Sequence, residues 1–282
     1  MPELPEVEVT AQQLRAQLEC ACLASSWHSG KALRHPYPKR ALEDLQGEAL
    51  LAVRRRAKFL MLEFKTGWLV IHLGMSGSLR CCDPGALAQL HDHVRLCFAL
   101  PKGRMREVVL HDPRRFGSLQ WVPAKGFASW EQAGQGLSRA GLGFEPFDER
   151  LTAQFMHRSA RGSRLCIKQW LMNGKVVVGV GNIYACEALF DAGIHPARKA
   201  GSIAVQRYEN LLVSVRRILS QAIKSGGSTL RDFYQPDGAS GNYRQSHQVY
   251  GREGEPCPHC GARIRKIVQQ QRSTFYCHAC QR

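Results

Sequence analysis

Apolar positions along the first half of the chain follow two different periods. Between Leu4 and Cys20, Val7, Leu14 and Leu18 recur at helical spacing, so a helix is predicted directly after a short proline-containing start. Extended apolar runs punctuated by Gly and Pro follow, at Phe59 to Phe64, Trp68 to Leu73, His93 to Leu100, Glu107 to His111 and Ser118 to Val122. Runs of this length predict an antiparallel sheet or sandwich accompanied by helix. Trp130 to Phe147 is rich in Gly, carries Glu145-Pro146 near its end, and reads as an interdomain linker. From Leu151 the period becomes helical, over Leu151 to Arg158, Ile167 to Met172, Asn182 to Ala192 and Val205 to Ser225. The turn Val178-Gly179-Val180-Gly181-Asn182 interrupts that stretch, and Ser225 to Gly251 is polar and reads as a loop. Cys257 to Cys280 forms a separate small module, and no internal repeat is visible.

Charge narrows the class of partner. The 282 residues carry 39 Lys and Arg against 23 Asp and Glu, a net charge of +16 with a pI near 9.7. Such an excess favours a polyanion. No apolar run reaches the ~18 residues of a spanning helix, so no membrane partner is expected. Met1 to Glu8 holds three glutamates and no apolar core, unlike a signal peptide. With 44% hydrophobic and 22% charged residues the chain is globular in composition. Its 11 cysteines are odd in number, which fits a reducing cytoplasm with some metal-bound thiolates better than a disulfide framework.

Cys257 and Cys260 form one Cys-x2-Cys pair and Cys277 and Cys280 a second, with sixteen residues between the pairs. Each pair presents two thiolates from one tight turn, and two pairs complete a tetrahedral zinc site. Four protein ligands leave no position for a reactive water, so one structural Zn2+ is expected; disulfide pairing is the competing reading of the same spacing. Ala262 to Gln269 and Ser273 to Tyr276 supply the strands of a ribbon, made basic by Arg263, Arg265, Lys266 and Arg272. The seven remaining cysteines, Cys20, Cys22, Cys81, Cys82, Cys97, Cys166 and Cys186, read as packing or surface thiols.

At the amino terminus two readings compete. Removal of Met1 leaves Pro2 as a secondary amine beside Glu3. An α-amine with a pKa of ~7.7–8.0 is partly unprotonated at neutral pH and able to attack a sugar C1′. The resulting iminium has no N–H to lose and serves as an electron sink for β-elimination. The other reading is a proline opening a helix whose dipole favours nearby acids, and from these residues alone it is the stronger. Lys58, in the basic turn Arg54 to Lys58, likewise reads alone as a surface lysine.

Further motifs change that balance. Pro2-Glu3-Leu4-Pro5-Glu6-Val7-Glu8 and Arg55-Arg56-Ala57-Lys58-Phe59-Leu60 are followed by His72-Leu73-Gly74-Met75-Ser76-Gly77 and Asp112-Pro113-Arg114-Arg115-Phe116-Gly117. Gly179-Val180-Gly181-Asn182-Ile183-Tyr184-Ala185, Tyr250-Gly251-Arg252 and Gln271-Arg272-Ser273-Thr274-Phe275-Tyr276-Cys277 complete the series. Together with the cysteine module, the chain resembles the bacterial formamidopyrimidine-DNA glycosylase family over nearly its whole length.

The resemblance implies an α+β enzyme with an N-terminal β-sandwich and flanking helices, a helical helix–two-turn–helix domain and a C-terminal zinc ribbon. The corresponding boundaries are 1–136, 137–246 and 247–282. The implied activity is base-excision repair of damaged double-stranded DNA, removing 8-oxoguanine and formamidopyrimidines and then nicking the strand by β,δ-elimination. A base flipped from the stack is what chemistry at C1′ requires. By this likeness Pro2 forms the Schiff base, Glu3 is the general acid/base, and Lys58 and Arg272 serve the two eliminations. Met75, Arg114 and Phe116 fill the gap left by the flipped base, two apolar wedges and one group able to pair with the orphaned base.

His91, Arg164, Lys168, Asn182 and Tyr250 fall at DNA-contacting positions, with Arg164 and Lys168 expected on the helix before the glycine turn. Gly226 to Gln245 corresponds to a lesion-covering loop. Asn173 stands where many relatives have Asp, so a cap or salt bridge is expected to be lost there. The implied setting is a monomer in the bacterial cytoplasm, associated with the nucleoid, with DNA between the domains and Pro2 at the floor. The sister class that removes oxidised pyrimidines usually opens Pro-Glu-Gly-Pro; Leu4 and the full Met75/Arg114/Phe116 set favour the purine class. Two alternatives remain: a damage-binding protein without catalysis, and a zinc-ribbon transcription or replication accessory factor, which accounts for the ribbon and the charge but leaves the first 120 residues unexplained.

Overall fold

Helix α1 (Leu4–Gln17) begins with Pro5 in its first turn and a reciprocal capping box between Glu3 and Glu6. Proline costs nothing there, because the first-turn N–H groups have no intrahelical acceptor. Val7, Ala11 and Leu14 turn inward. The computed structural model describes residues 2–137, 141–228 and 243–282. They divide into two compact units, one of residues 2–137 with 225–228, the other of residues 141–224 with 243–282.

The first unit holds eight strands, β1 (Cys22–His28), β2 (Ala52–Arg56), β3 (Phe59–Phe64), β4 (Gly67–His72), β5 (Ser78–Cys82), β6 (Asp92–Ala99), β7 (Met105–His111) and β8 (Ser118–Pro123). They form two four-stranded antiparallel sheets in the orders β1-β6-β7-β5 and β2-β3-β4-β8. Leu60, Leu62, Leu69 and Ile71 of one sheet meet Leu96, Phe98, Val108 and Leu110 of the other in the main core. A short helix α2 (Lys39–Asp44) adds Leu42 to that core.

β3 and β4 are apolar on both faces, and helix α3 (Trp130–Gln135) explains why. It packs against Met61, Trp68 and Val70, the residues pointing away from the main core, through Ala133 and Trp130. Gly134 is required at this contact, since a Cβ there would lie 2.9 Å from Cγ of Arg56. The linker expected over Trp130 to Phe147 is therefore corrected at both ends. Its start is this helix, and its end is bonded into the second unit through Gly143 N–H to Gly174 O (2.8 Å) and Phe144 N–H to Val176 O (2.9 Å).

The second unit contains α4 (Ala153–Ala160), α5 (Ile167–Met172), α6 (Asn182–Asp191), α7 (Val205–Lys224) and a hairpin of β9 (Arg265–Gln269) with β10 (Arg272–Tyr276). Thr152 caps α4 by accepting the N–H of Phe155 at 3.1 Å. α7 buries Tyr208, Leu211, Leu212, Val215 and Leu219, a stripe at helical period. Between α5 and α6 the chain makes two turns around Gly174 and Gly179, with φ of 73° and 82° that disfavour any side chain. That is a helix–two-turn–helix arrangement. The cysteine module sits on the end of α6. Gln281 donates to Ile194 O (2.8 Å) and accepts the Cys277 N–H (2.8 Å). No helix among the described residues is long and apolar enough to cross a membrane.

Candidate active site and nucleic-acid interface

Pro2 and Glu3 are buried at the start of α1. The Glu3 N–H donates to Oε2 of Glu6 at 2.8 Å, and Oε1 of Glu6 accepts the Ser228 N–H at 2.8 Å. A carboxylate at this point also meets the positive end of the helix dipole. The capping reading and the chemical reading of these residues are thus compatible: the cap immobilises the dipeptide that would react.

Lys58 lies in the turn between β2 and β3, next to Ala57 in the left-handed region at φ 53°. Arg55 fixes this turn relative to α1, bonding Oε2 of Glu8 through Nε (2.7 Å) and the Ala57 carbonyl through Nη1 (3.0 Å). Opposite, His72 pairs with Phe59 across the sheet. Burial, and then the charges of Lys58 and Arg34, push its pKa down to about 4. The neutral ring is the form needed, because Nδ1 accepts the Gly74 N–H at 2.9 Å.

A folded pKa below the unfolded value of 6.5 means the unfolded chain binds more protons between the two. Stability is therefore fully present above pH 6.5 and declines as pH falls towards 4. Its size is on the order of 3 kcal/mol. Urea unfolding across that window is expected to show a shallower pH dependence for His72→Asn, which keeps an acceptor near the Nδ1 position and does not titrate. Equal slopes would contradict this.

The residues expected to enter the DNA stack are not core residues. Met75 is 43% exposed and Phe116 45% exposed, on turns at one end of the sandwich, and the Arg114 guanidinium lies 4.7 Å from the Phe116 ring centre. The two turns touch through backbone: a Cβ on Gly74 would sit 2.5 Å from the Phe116 carbonyl carbon. His91 is half-buried beside His111, ring centres 5.8 Å apart.

In the second unit, one placement is corrected. Arg164 is exposed but precedes α5 instead of lying on it. Lys168 is on α5, yet it is 1% exposed, and its Nζ donates to Thr274 Oγ1 (2.6 Å) and Ser273 O (3.2 Å). Burial holds this ammonium below the usual lysine range. Spacing alone cannot distinguish such a lysine from a phosphate ligand: it braces the ribbon. Asn182 does the same from α6, donating Nδ2 to Ser273 O at 3.0 Å and reaching the Tyr250 hydroxyl at 3.5 Å. Its Oδ1 is buried with no partner among the described residues.

Arg272 is exposed at the start of β10, next to a two-residue turn in which Gln270 and Gln271 both have positive φ (46° and 59°). Asn173 keeps a cap, since its Oδ1 accepts the Lys175 N–H at 2.9 Å. The loop expected over Gly226 to Gln245 lies for residues 229–242 outside the described residues; at its near end Ser228 is bonded to Glu6.

Glu187 is invisible in the sequence. This buried carboxylate on α6 accepts the N–H groups of Gln248 (2.8 Å), Val249 (3.0 Å) and Tyr250 (2.8 Å) and so sets the Tyr250 backbone. An acid inside an apolar helix pattern carries no signal until the segment it holds is known.

The ligand atoms of Cys257, Cys260, Cys277 and Cys280 all lie within 4.8 Å of one another. Sγ separations of 3.8 Å for Cys257–Cys280 and 3.5 Å for Cys260–Cys277 suit a tetrahedron, whose edge is about 3.8 Å for Zn–S bonds of about 2.3 Å. The four thiolates hold one structural Zn2+. Elsewhere burial raises the thiol pKa of Cys81, to about 11, and those of Cys82 and Cys97, which keeps them protonated and unreactive.

A capped N-terminal proline dipeptide, a helix–two-turn–helix and a four-thiolate ribbon together define a zinc-ribbon class of DNA-repair glycosylases. Family models match the chain in the same order: Formamidopyrimidine-DNA glycosylase N-terminal domain at residues 1–119, its H2TH domain at 142–234, and the zinc finger found in FPG and IleRS at 254–282. The chain belongs to the formamidopyrimidine-DNA glycosylase family. A relative of that name from Aromatoleum aromaticum is 47% identical over 100% of both chains. Among solved structures, a Lactococcus lactis FPG mutant in complex with a Fapy-dG containing DNA superposes with a TM-score of 0.90 at 30% identity, covering 100% of both chains. The MutM (FPG) protein from Thermus thermophilus gives 0.83 at 36% identity, covering 99% of this chain and 98% of that one.

Proposed function

We propose that this chain excises oxidised purines, 8-oxoguanine and formamidopyrimidines, from double-stranded DNA and then cleaves the strand at the abasic site. The single observation that carries the reading is the buried Pro2-Glu3 start of α1, held by its capping box, with the Lys58 turn tied to the same helix by Arg55.

In the proposed sequence the Pro2 nitrogen attacks C1′, the C1′–N bond to the base breaks with the amine's proton passing to the base, and the C1′–O4′ bond then breaks as O4′ takes a proton from Glu3, which opens the sugar to the iminium. The iminium so formed draws electrons from C2′; Lys58 takes the C2′ proton and the C3′–O bond breaks. Arg272 assists the following elimination, in which the C5′–O bond breaks. Met75, Arg114 and Phe116 occupy the vacated stack. His91, Arg164, Asn182 and Tyr250 hold the backbone, while Lys168 acts on that backbone through Ser273. Zinc supplies no chemistry to the reaction and orders the ribbon that carries Arg272.

The proposal assigns catalysis to residues 1–136, backbone binding and lesion cover to 137–246, and the ribbon to 247–282. It takes the working form to be a monomer in the bacterial cytoplasm, on the nucleoid, to which the charge of +16 would draw it.

Nicking of duplexes carrying 8-oxoguanine opposite cytosine, beside duplexes carrying an oxidised pyrimidine, tests the assignment. The purine duplex is expected to be cut faster by about tenfold or more. Preference for the pyrimidine duplex would place the chain in the sister class, and binding without nicking of either would leave a damage-binding protein.

A further inference from the structure

Four of the proposed DNA-contacting side chains, Met75, His91, Arg114 and Phe116, come from three separate connections of the sandwich. One buried residue, Asp112, joins all three connections, and it is 0% exposed. Its Oδ1 accepts the Ser76 hydroxyl at 2.8 Å, one residue from Met75, and the Arg114 N–H at 3.2 Å. Its Oδ2 accepts the Gly117 N–H at 2.7 Å, one residue from Phe116. Its own N–H donates to the His91 carbonyl at 2.9 Å. The Asp112 carbonyl in turn accepts Nε2–H of His93 at 3.1 Å, and the other nitrogen of that ring meets Ser29 Oγ at 3.0 Å. A side chain at Gly117 would crowd this network, since a Cβ would sit 3.0 Å from Asp112 Oδ2 and from the His72 carbonyl.

A buried carboxylate is costly unless its oxygens are satisfied, and charge-assisted bonds to it are stronger than neutral ones. Two loops that share such a carboxylate move as one body. An apolar side chain inserted between base pairs is useful only if it is already held rigid, because ordering it at the moment of insertion would consume the contact energy it gains. We infer that Asp112 is the positioning residue of the wedge: its carboxylate locks the Met75 turn to the Arg114–Phe116 turn, so that both enter the stack together when the lesion leaves it.

The inference rests on the proposal that Met75, Arg114 and Phe116 act as the wedge, and the test separates the two. Single-turnover excision from an 8-oxoguanine duplex is compared, in wild type, Asp112→Asn, Ser76→Ala and Phe116→Ala, with cleavage of a preformed abasic site in a single strand, where nothing has to be unstacked. Ser76→Ala removes only the bond between the turns and guards against a misfolded Asp112 variant. Fluorescence of 2-aminopurine beside the lesion reports unstacking directly.

Asp112→Asn and Ser76→Ala are expected to slow duplex excision by about tenfold to a hundredfold and to delay the fluorescence rise in step. Single-strand cleavage should stay within about twofold. Equal slowing on both substrates would overturn the inference, since a general structural or chemical defect does not discriminate between them. Normal duplex excision by Asp112→Asn and Ser76→Ala with slow excision by Phe116→Ala would overturn it and leave the wedge standing. No effect of Phe116→Ala would remove the wedge, and the inference with it.

Discussion

A chain that retains Met1 or any other extension on Pro2 is expected to lose base release and strand cleavage together, each by more than about a thousandfold. An amide nitrogen has no nucleophilic lone pair, and no other group in the proposed sequence forms the covalent bond. Duplex binding should survive, because the wedge turns and the basic ribbon are untouched. Pro2→Gly is the informative partial case. It retains a primary amine and hence some activity, but its imine can shed its proton and withdraws electrons less persistently than the iminium of a secondary amine. Room at the site is limited: Pro2 is buried, and Glu3 is committed to the capping box. Nicking and base release measured on the same duplex by the extended and processed proteins decide this. Full activity of the extended form would refute amine catalysis here.

The second large effect concerns the ribbon. Cys257→Ala leaves three thiolates, and the expected result is zinc content falling from one ion per chain to none and duplex affinity falling by roughly a hundredfold. Cys257 and Cys277 are buried against Ile264, Phe275, Val249 and Phe190, so the metal and this small cluster stabilise each other. If the hairpin melts, Ser273 no longer accepts from Lys168 and Asn182, and Arg272 loses its placement on β10. The sandwich has its own core and should keep its melting temperature. Zinc analysis and duplex titration on one preparation test this. Retained zinc with normal affinity would count against it.

Legibility in the sequence follows burial. β3 and β4 stand out because both of their faces are covered, which makes each run apolar over most of its length. β2 and β5 escape notice because they are short and half polar, Ala52–Arg56 ending in three arginines and Ser78–Cys82 carrying one, and β1 because Ser25, Ser26 and His28 break its apolar run. α3 is hidden among glycines that serve packing here. The zinc ligands are legible because two Cys-x2-Cys pairs are the spacing a tetrahedral site needs. The exposed Met75 and Phe116 are legible from turn context and motif.

The residues that escape or mislead are polar groups working inside the protein. Glu187, Asp112 and Lys168 look like surface charges in one dimension, and only the fold shows which backbone groups they satisfy. Lys168 is the instructive case. Its place on α5 is legible, but its ammonium faces the ribbon and is bonded to Ser273 and Thr274.

Borohydride reduction during reaction with a duplex bearing 8-oxoguanine opposite cytosine, followed by peptide mapping of the adduct, tests the central claim most directly. The account predicts one covalent adduct per chain, on the nitrogen of Pro2, absent when that nitrogen is acylated. An adduct on Lys58 or any other lysine, or strand cleavage with no trapped intermediate, would contradict it.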